Sequence, residues 1–300
     1  MKLQILCTHF DESEEVVATL LDSIEMQKGI DKDEFSVIIV NDGDKVVLSP
    51  NFLEKYSFNI RYEVLPKRNV SFARNSALDI ATAKYVMFCD CDDAFCVDCA
   101  FKWLFNEMEV PFNVLNSVFF EERGDQGIPR ENDNTFIHGK VFSREFLKLE
   151  GIRFNNELYV HEDGYFICLA QSCAGTIRYF EKPFYVWKER QGSIARRPNY
   201  IQETWKEYLK AKNLLIGELI ARDQEQVAKY VVAHLLIEAK ERHLNHENKM
   251  ATLEFYLINK YLHDSLTDDD KKLIEETTSK LFKHKTTTSP SYFMKLLDKA

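Results

Sequence analysis

The sequence predicts an α/β protein over its first part and an all-helical region toward its C-terminus. Three observations carry this. Over about the first 100 residues, apolar runs of strand length alternate with segments of helical spacing. From about Tyr200 the texture changes to long amphipathic stretches. The 300 residues, 45% of them hydrophobic, suffice for one large domain or two ordinary ones with real cores.

The elements follow in order. Residues 3–10 read as a buried strand. Residues 12–27 place Val16, Val17, Leu20, Leu21 and Ile24 at helical spacing. The run 35-FSVIIVND-42 is continuously apolar, which suits a parallel strand covered on both faces. Residues 60–65 read as a third strand, 71–83 as a helix with Ser71 near its N-cap, and 84–90 as a fourth strand. Helices are expected over 98–108 and 143–149, a strand over 113–120 and a polar loop over 121–134. The segment 161-HEDGYFICLAQSC-173 opens a helix with acids, which suits the macrodipole. Three long helices are expected over 201–221, 223–243 and 250–263. Thr267, followed by Asp268, Asp269 and Asp270, starts a fourth, close to a capping box. The organisation predicted is a domain over 1–199, a helical region over 200–285, and a linker with a short amphipathic tail over 286–300.

A net charge of −9 argues against broad attraction to phosphate backbones, while leaving room for a local basic groove. Residues 271–300 reverse the balance, with seven lysines against three acids. A solvated helical face is the plain reading; peripheral contact with an anionic membrane or a partner is the other. No run of about 18 apolar residues exists, so no membrane span is expected. Seven cysteines and no export signal predict reduced thiols and a cytoplasmic protein.

In open α/β sheets, ligands sit beyond the carboxyl ends of the strands. Thr8, Asp11, Asn41, Asp42, Asp90, Asp92 and Asp93 follow the predicted strands and should converge on one crevice. A solvated turn explains any one of them; it explains less well why three strands end in aspartate. The stretch 87-MFCDCDDAF-95 admits three readings. Its carboxylates suit Mg²⁺ or Mn²⁺, hard ions that take one or two protein oxygens and complete their shell on phosphates. Cys89, Cys91, Cys96 and Cys99 suggest zinc, but C-x-C-x4-C-x2-C is not a usual paired knuckle. The third reading is an acidic turn beside buried thiols.

Taken together, the motifs from residue 3 to about residue 197 resemble the family 2 glycosyltransferases. The segment 5-ILCTHFD-11 looks like the family's opening strand and its Pro-Val-Tyr-Asn turn, with Thr8 for the proline and Asp11 for the asparagine. The segment 40-VNDGD-44 resembles Val-Asp-Asp-Gly-Ser, and 69-NVSFARNSALDIATAKYVMFCDCDD-93 resembles an Ala-Arg-Asn helix leading into an Asp-x-Asp-Asp strand end. Three later pieces match in order: 138-HGKVFSREFL-147, the Glu-Asp motif in 161-HEDGYF-166, and 184-FYVWKERQGSIARR-197. Each piece alone is weakly specific; their order and spacing are not.

The resemblance implies a GT-A fold, a Rossmann-like mixed sheet flanked by helices, and a metal-dependent, inverting glycosyltransferase. The donor would be a nucleotide-diphosphate sugar, with a UDP-sugar favoured. The acceptor would be a hydroxyl on a glycan, a lipid-linked sugar, a protein or a modified nucleic acid. Thr8, Phe10, Asp11 and Asp42 would hold base and ribose, with Arg74 and Arg190 approaching the nucleotide. Asp92 would bind Mn²⁺ or Mg²⁺ directly, supported by Asp90, and Asp163 would be the general base. Lys140, His138, Trp187, Ser193 and His161 are secondary candidates. The missing proline and Asn41 in place of the first aspartate mark a divergent member, which leaves donor base and sugar open. The helical region carries no motif; shaping the acceptor site and forming a homo-oligomer are both open to it. Two other readings stand beside the enzyme. A noncatalytic GT-A-like binding protein would be expected to lose Asp92 or Asp163, and both are present. A zinc-stabilised interaction module would centre on the cysteines.

Overall fold

The computed structural model describes residues 1–43, 45–131, 133, 135–190 and 193–283, with side chains to residue 276 except that of Ile194. Gly192 of the Gly-Ser-Ile loop and the tail at 286–300 lie outside the described residues. Contacts divide the chain into two compact units. The first comprises Met1–Glu131, Phe136–Tyr159 and Cys173–Gln191; the second comprises Asn132–Thr135, Val160–Ser172 and the chain after Gln191.

The first unit begins with the expected alternation: β1 (Leu3–His9), α1 (Glu14–Glu25), β2 (Phe35–Asn41), α2 (Pro50–Leu53), β3 (Asn59–Val64), α3 (Val70–Ile80) and β4 (Tyr85–Asp90). Then come β5 (Ala94–Phe95), α4 (Ala100–Glu107), β6 (Val114–Arg123), β7 (Gln126–Arg130), β8 (Lys140–Ser143) and α5 (Arg144–Leu149). After α6 (Glu162–Cys173), β9 (Ile177–Trp187) completes the sheet. The strand order is β3-β2-β1-β4-β8-β6-β9-β5, with β7 paired to β6. The β1–β2, β2–β3 and β1–β4 pairs are parallel, while β8 is antiparallel to both β4 and β6. The sheet is therefore mixed, as the resemblance implied.

Burial explains the run-like strands. All seven residues of β2 are buried, because the strand is central and covered on both faces. Leu20, Leu21 and Ile24 of α1 and Phe101 and Leu104 of α4 share one core with Ile5, Val37 and Met87. Each such side chain contributes about 1.5–3 kcal/mol by leaving water.

Two local expectations are corrected. The N-cap of α3 is Asn69, whose side chain accepts from the Phe72 N–H at 2.8 Å; Ser71 lies inside the first turn and donates to the Leu158 carbonyl at 3.0 Å. Both residue types cap well, and the extended backbone at Asn69 decides which one does. The loop expected over 121–134 instead holds the end of β6 and the hairpin partner β7. Four of the five β7 residues are exposed, so this strand needs no apolar face and its composition hides it.

The second unit is built on α6, α7 (Tyr200–Ala221), α8 (Glu225–Glu241), α9 (His246–Asp264) and α10 (Asp268–Lys283). Trp205, Leu215, Leu219, Val232, Leu235 and Leu262 are among its buried side chains. The capping box at the start of α10 is formed: the Asp270 N–H donates to Thr267 Oγ1 at 3.1 Å, and the Thr267 N–H donates to Asp270 Oδ2 at 3.2 Å. Among the described residues, no helix is long and apolar enough to cross a membrane.

Candidate active site

The sheet has a switch point at β1. The chain moves from β1 to β2 and β3 on one side, then crosses to β4 on the other. Register sets Thr8 beside Asp90 on β4 and His9 beside Asn41 on β2. The polar residues after these strands thus open on one crevice, where ligands of such sheets bind.

On the β2 side the loop is tied down by its own polar groups. Asn41 Oδ1 accepts from the Gly43 N–H at 2.7 Å, and its Nδ2 donates to the Val46 carbonyl and the Tyr62 hydroxyl, both at 2.9 Å. Asp11 Oδ1 accepts from the N–H groups of Lys45 and Val46 at 2.7 and 3.1 Å, which holds its carboxyl below the usual range. A Cβ at Gly43 would lie 2.5 Å from Asp11 Oδ1, so only glycine lets the two turns approach this closely. Asp42 is buried and accepts from the Arg68 N–H at 2.6 Å; burial pushes its carboxyl up despite that bond. Phe10 is 49% exposed, with the Lys67 ammonium 4.9 Å from its ring centre.

On the β4 side three carboxylates stand in succession, each with its own partners. Arg74, buried in α3, donates to Asp90 Oδ1 at 3.0 Å. Burial works to raise Asp90, but the charges of Arg74 and His138 and a hydrogen bond from Thr8 outweigh it, so its carboxyl is held low. Asp92 is pushed up, first by burial and then by Asp90, with Arg190 opposing. Arg190 Nη1 lies 3.0 Å from Asp92 Oδ2 and 2.7 Å from Glu12 Oε1. Asp93 is fully buried; it accepts from the Tyr185 hydroxyl at 2.5 Å and the Lys188 N–H at 2.9 Å. Burial and its two acidic neighbours push its carboxyl well up.

Ligand atoms of Asp90, Asp93 and His138 lie within 4.8 Å of one another. The hard oxygens of this strand end fit Mg²⁺ or Mn²⁺. Asp93 is already engaged by Tyr185 and Lys188 and is inaccessible, whereas the Asp92 side chain is 25% exposed and already faces a cation, Arg190. Asp92, the expected direct ligand, is not part of that cluster; Asp90, the expected supporting residue, is. The cysteines do not fit zinc: Cys89 and Cys91 belong to the apolar core, Cys96 is exposed, and among the described residues no candidate metal group includes a cysteine.

In the second unit, Asp163 and Glu162 lie in the first turn of α6. His161, just before them, has φ +64° and accepts or donates at 2.9 Å with Thr204 Oγ1. Its ring packs on Tyr200 and Tyr208, and burial pushes it down to about 4, so it is neutral at pH 7. The Tyr200 hydroxyl is pushed up to about 12 by burial, with Glu162 and Asp163 adding to it.

Three secondary candidates have structural surroundings. Lys140 is buried and donates to the carbonyls of Phe136 and His138 at 2.6 and 3.3 Å. Trp187 and His138 stack together with Phe136 and Tyr185 beneath the carboxylates. Sequence reasoning did not find Glu12 and Tyr185. Glu12 meets a residue 178 positions away, and Tyr185, although inside the matched segment 184–197, meets one 92 positions away; local sequence names neither partner.

Fold and crevice define a GT-A-type protein. A model of Glycosyl transferase family 2 matches residues 5–180, and the chain belongs to that family of glycosyltransferases. Among solved structures, S. aureus TarS 1-349 in complex with UDP-GlcNAc is similar at 18% identity, with TM-score 0.71, covering 95% of this chain and 93% of that one. The same protein without that ligand matches at 18% identity and TM-score 0.68, over 95% and 92% of the two chains. The mannosyltransferase PcManGT from Pyrobaculum calidifontis, in complex with GDP-Man and Mn²⁺, matches at 13% identity and TM-score 0.54, over 99% and 86%. These likenesses speak to the fold. No curated protein matches the chain.

Proposed function

We propose that the protein transfers a sugar from a nucleoside-diphosphate sugar to an acceptor hydroxyl with inversion, in a metal-dependent reaction. The observation that supports this is that Asp42 follows β2, and Asp90 and Asp92 end and follow β4, the two parallel neighbours of β1 at the switch point, with Arg190 paired to Asp92. Phe10 offers an exposed ring for the base, and Thr8, Asp11 and Asp42 surround the ribose side. Asp92, supported by Asp90, holds Mn²⁺ or Mg²⁺, which when bound neutralises charge on the leaving diphosphate. Arg74 keeps Asp90 ionised and oriented. Arg190, released from Asp92, is placed to meet the diphosphate. Asp163 takes the proton of the acceptor hydroxyl as its oxygen attacks the anomeric carbon opposite the leaving group, so the configuration inverts.

The ligands bound in these neighbours support a nucleotide-sugar donor, and UDP-GlcNAc and UDP in TarS make uridine the first choice. We assign the catalytic domain to residues 1–199 and place the reaction in the cytoplasm, in keeping with seven cysteines in the reduced thiol form. Calorimetric titration of UDP, GDP, CDP and dTDP with and without Mn²⁺ tests the reading. Metal-dependent binding of one nucleotide, lost in Asp92→Ala, is expected. Binding of none of the four would overturn the donor site.

A further inference from the structure

The outer surface of α9 carries an apolar stripe. Met250, Leu253, Leu257, Ile258 and Tyr261 are 45%, 47%, 60%, 66% and 61% exposed, while Phe255, Asn259 and Leu262 on the same helix are buried. The stripe forms two neighbouring rows of i, i+4 residues: Leu253, Leu257 and Tyr261 in one, Met250, Glu254 and Ile258 in the other. Every other exposed large apolar side chain among the described residues stands singly on its element or loop. Scattered residues need no explanation; a continuous stripe marks a contact surface.

The surrounding charges say what it contacts. Glu247, Lys249, Glu254, Lys260 and Asp264 are all exposed along α9. Along α9 itself the rim is mixed, three acids to two lysines, which gives an anionic membrane or a phosphate backbone no net attraction there, while Lys240 and Lys271 line the groove beside it. A second copy of the same helix, running antiparallel, answers both signs. A two-fold axis at Leu257 sets Leu257 against its equivalent, Leu253 against Tyr261, and Glu254 against Lys260. Rows of this kind pack ridge into groove. The apolar pairs take the centre and the charged pair the rim, the usual anatomy of such a contact. Beside Leu253, a groove of about 620 Å³ between α8, α9 and α10 is lined by Leu236, Ile237, Leu244 and Tyr256. It is the right kind of receptor for an aromatic ring. Lys260 also pairs with Asp264 of its own helix, an exposed i, i+4 pair that competes weakly.

We propose that two copies of this chain associate through α9 as an antiparallel pair, with Tyr261 of each copy anchored in the groove beside Leu253 of the other. The contact involves only the helical unit and is independent of the sugar-transfer reading.

Sedimentation velocity on the full chain tests it over roughly 1–100 µM. A concentration-dependent dimer is expected. Leu257→Asp weakens it at least tenfold, as loss of a central apolar contact does. Glu254→Lys and Lys260→Glu each weaken it several-fold, and the double variant returns to within about threefold of the starting affinity. These side chains are exposed, so unchanged thermal melting confirms that each variant is folded. A monomer at every concentration, or a dimer indifferent to Leu257→Asp, overturns the surface. Single charge variants that the double does not rescue overturn the antiparallel register. Co-sedimentation of a monomer with phosphatidylglycerol vesicles, lost in Leu257→Asp, overturns the second copy as partner in favour of a lipid surface.

Discussion

The two units hold their acids in opposite ways. At the end of β4, Asp90, Asp92 and Asp93 crowd together and each needs its own partners: Arg74 for the first, Arg190 for the second, Tyr185 and the Lys188 N–H for the third. In the first turn of α6, Glu162 and Asp163 sit in the favourable field of the helix N-terminus, beside a neutral His161. Like charges in a buried cluster are tolerable only with cations and donors brought from distant chain. A helix start supplies its own compensation. Under the proposed function the first arrangement would hold a cation and its diphosphate, and the second would keep Asp163 ionised, as a base must be before it accepts a proton.

The largest expected effect separates these roles. Asp92→Ala should lower transfer by about 10³-fold, some 4 kcal/mol, and abolish metal-dependent nucleotide binding in calorimetry. Retained metal-dependent binding in this variant would move the ion to another carboxylate. Asp163→Asn should lower turnover by roughly 10²–10³-fold while leaving nucleotide affinity unchanged. Equal losses in both quantities would make Asp163 a binding residue instead of a base.

Stability sharpens the same contrast. Asp93→Ala strands the buried Tyr185 hydroxyl and Lys188 N–H, and should cost about 2–4 kcal/mol in urea unfolding. Asp163→Asn should cost less than about 1 kcal/mol, since the helix start keeps its backbone donors. A further effect is in pH. The folded His161 titrates at about 4, below its unfolded value of about 6.5. The unfolded chain therefore binds the extra proton first as pH falls. His161's contribution is complete above pH 6.5 and is lost between 6.5 and 4, amounting to at most about 3 kcal/mol. His161→Asn should flatten that part of the melting-temperature profile, and asparagine tolerates the left-handed backbone. An unchanged profile would show that another group titrates there.

Much of this was legible in the residues. The continuous run Phe35–Asn41 announced a doubly covered parallel strand, and Thr267 with Asp270 announced a capping box; both are short-range signals of backbone and solvent. The hairpin partner β7 was not legible, because an exposed edge strand carries no apolar alternation. Nor was the cap of α3, where Asn69 and Ser71 compete and the path of the preceding chain chooses. The cysteines beside Asp90 were ambiguous in sequence; the pleat that turns Cys89 into the core resolved them.

The sequence by itself determined the alternation of strands and helices, the strand ends that carry acids, and the helical texture after Tyr200. Those depend on periodicity and composition, which act over a few residues. Only the tertiary structure decided which acid meets which cation. Glu12 and Asp92 meet Arg190 across almost the whole sheet unit, Asp93 meets Tyr185 through β9, and the stripe on α9 remains exposed once Phe255 and Leu262 have been buried. Electrostatic partners and exposed faces are set by distances in space, and local sequence does not encode those distances.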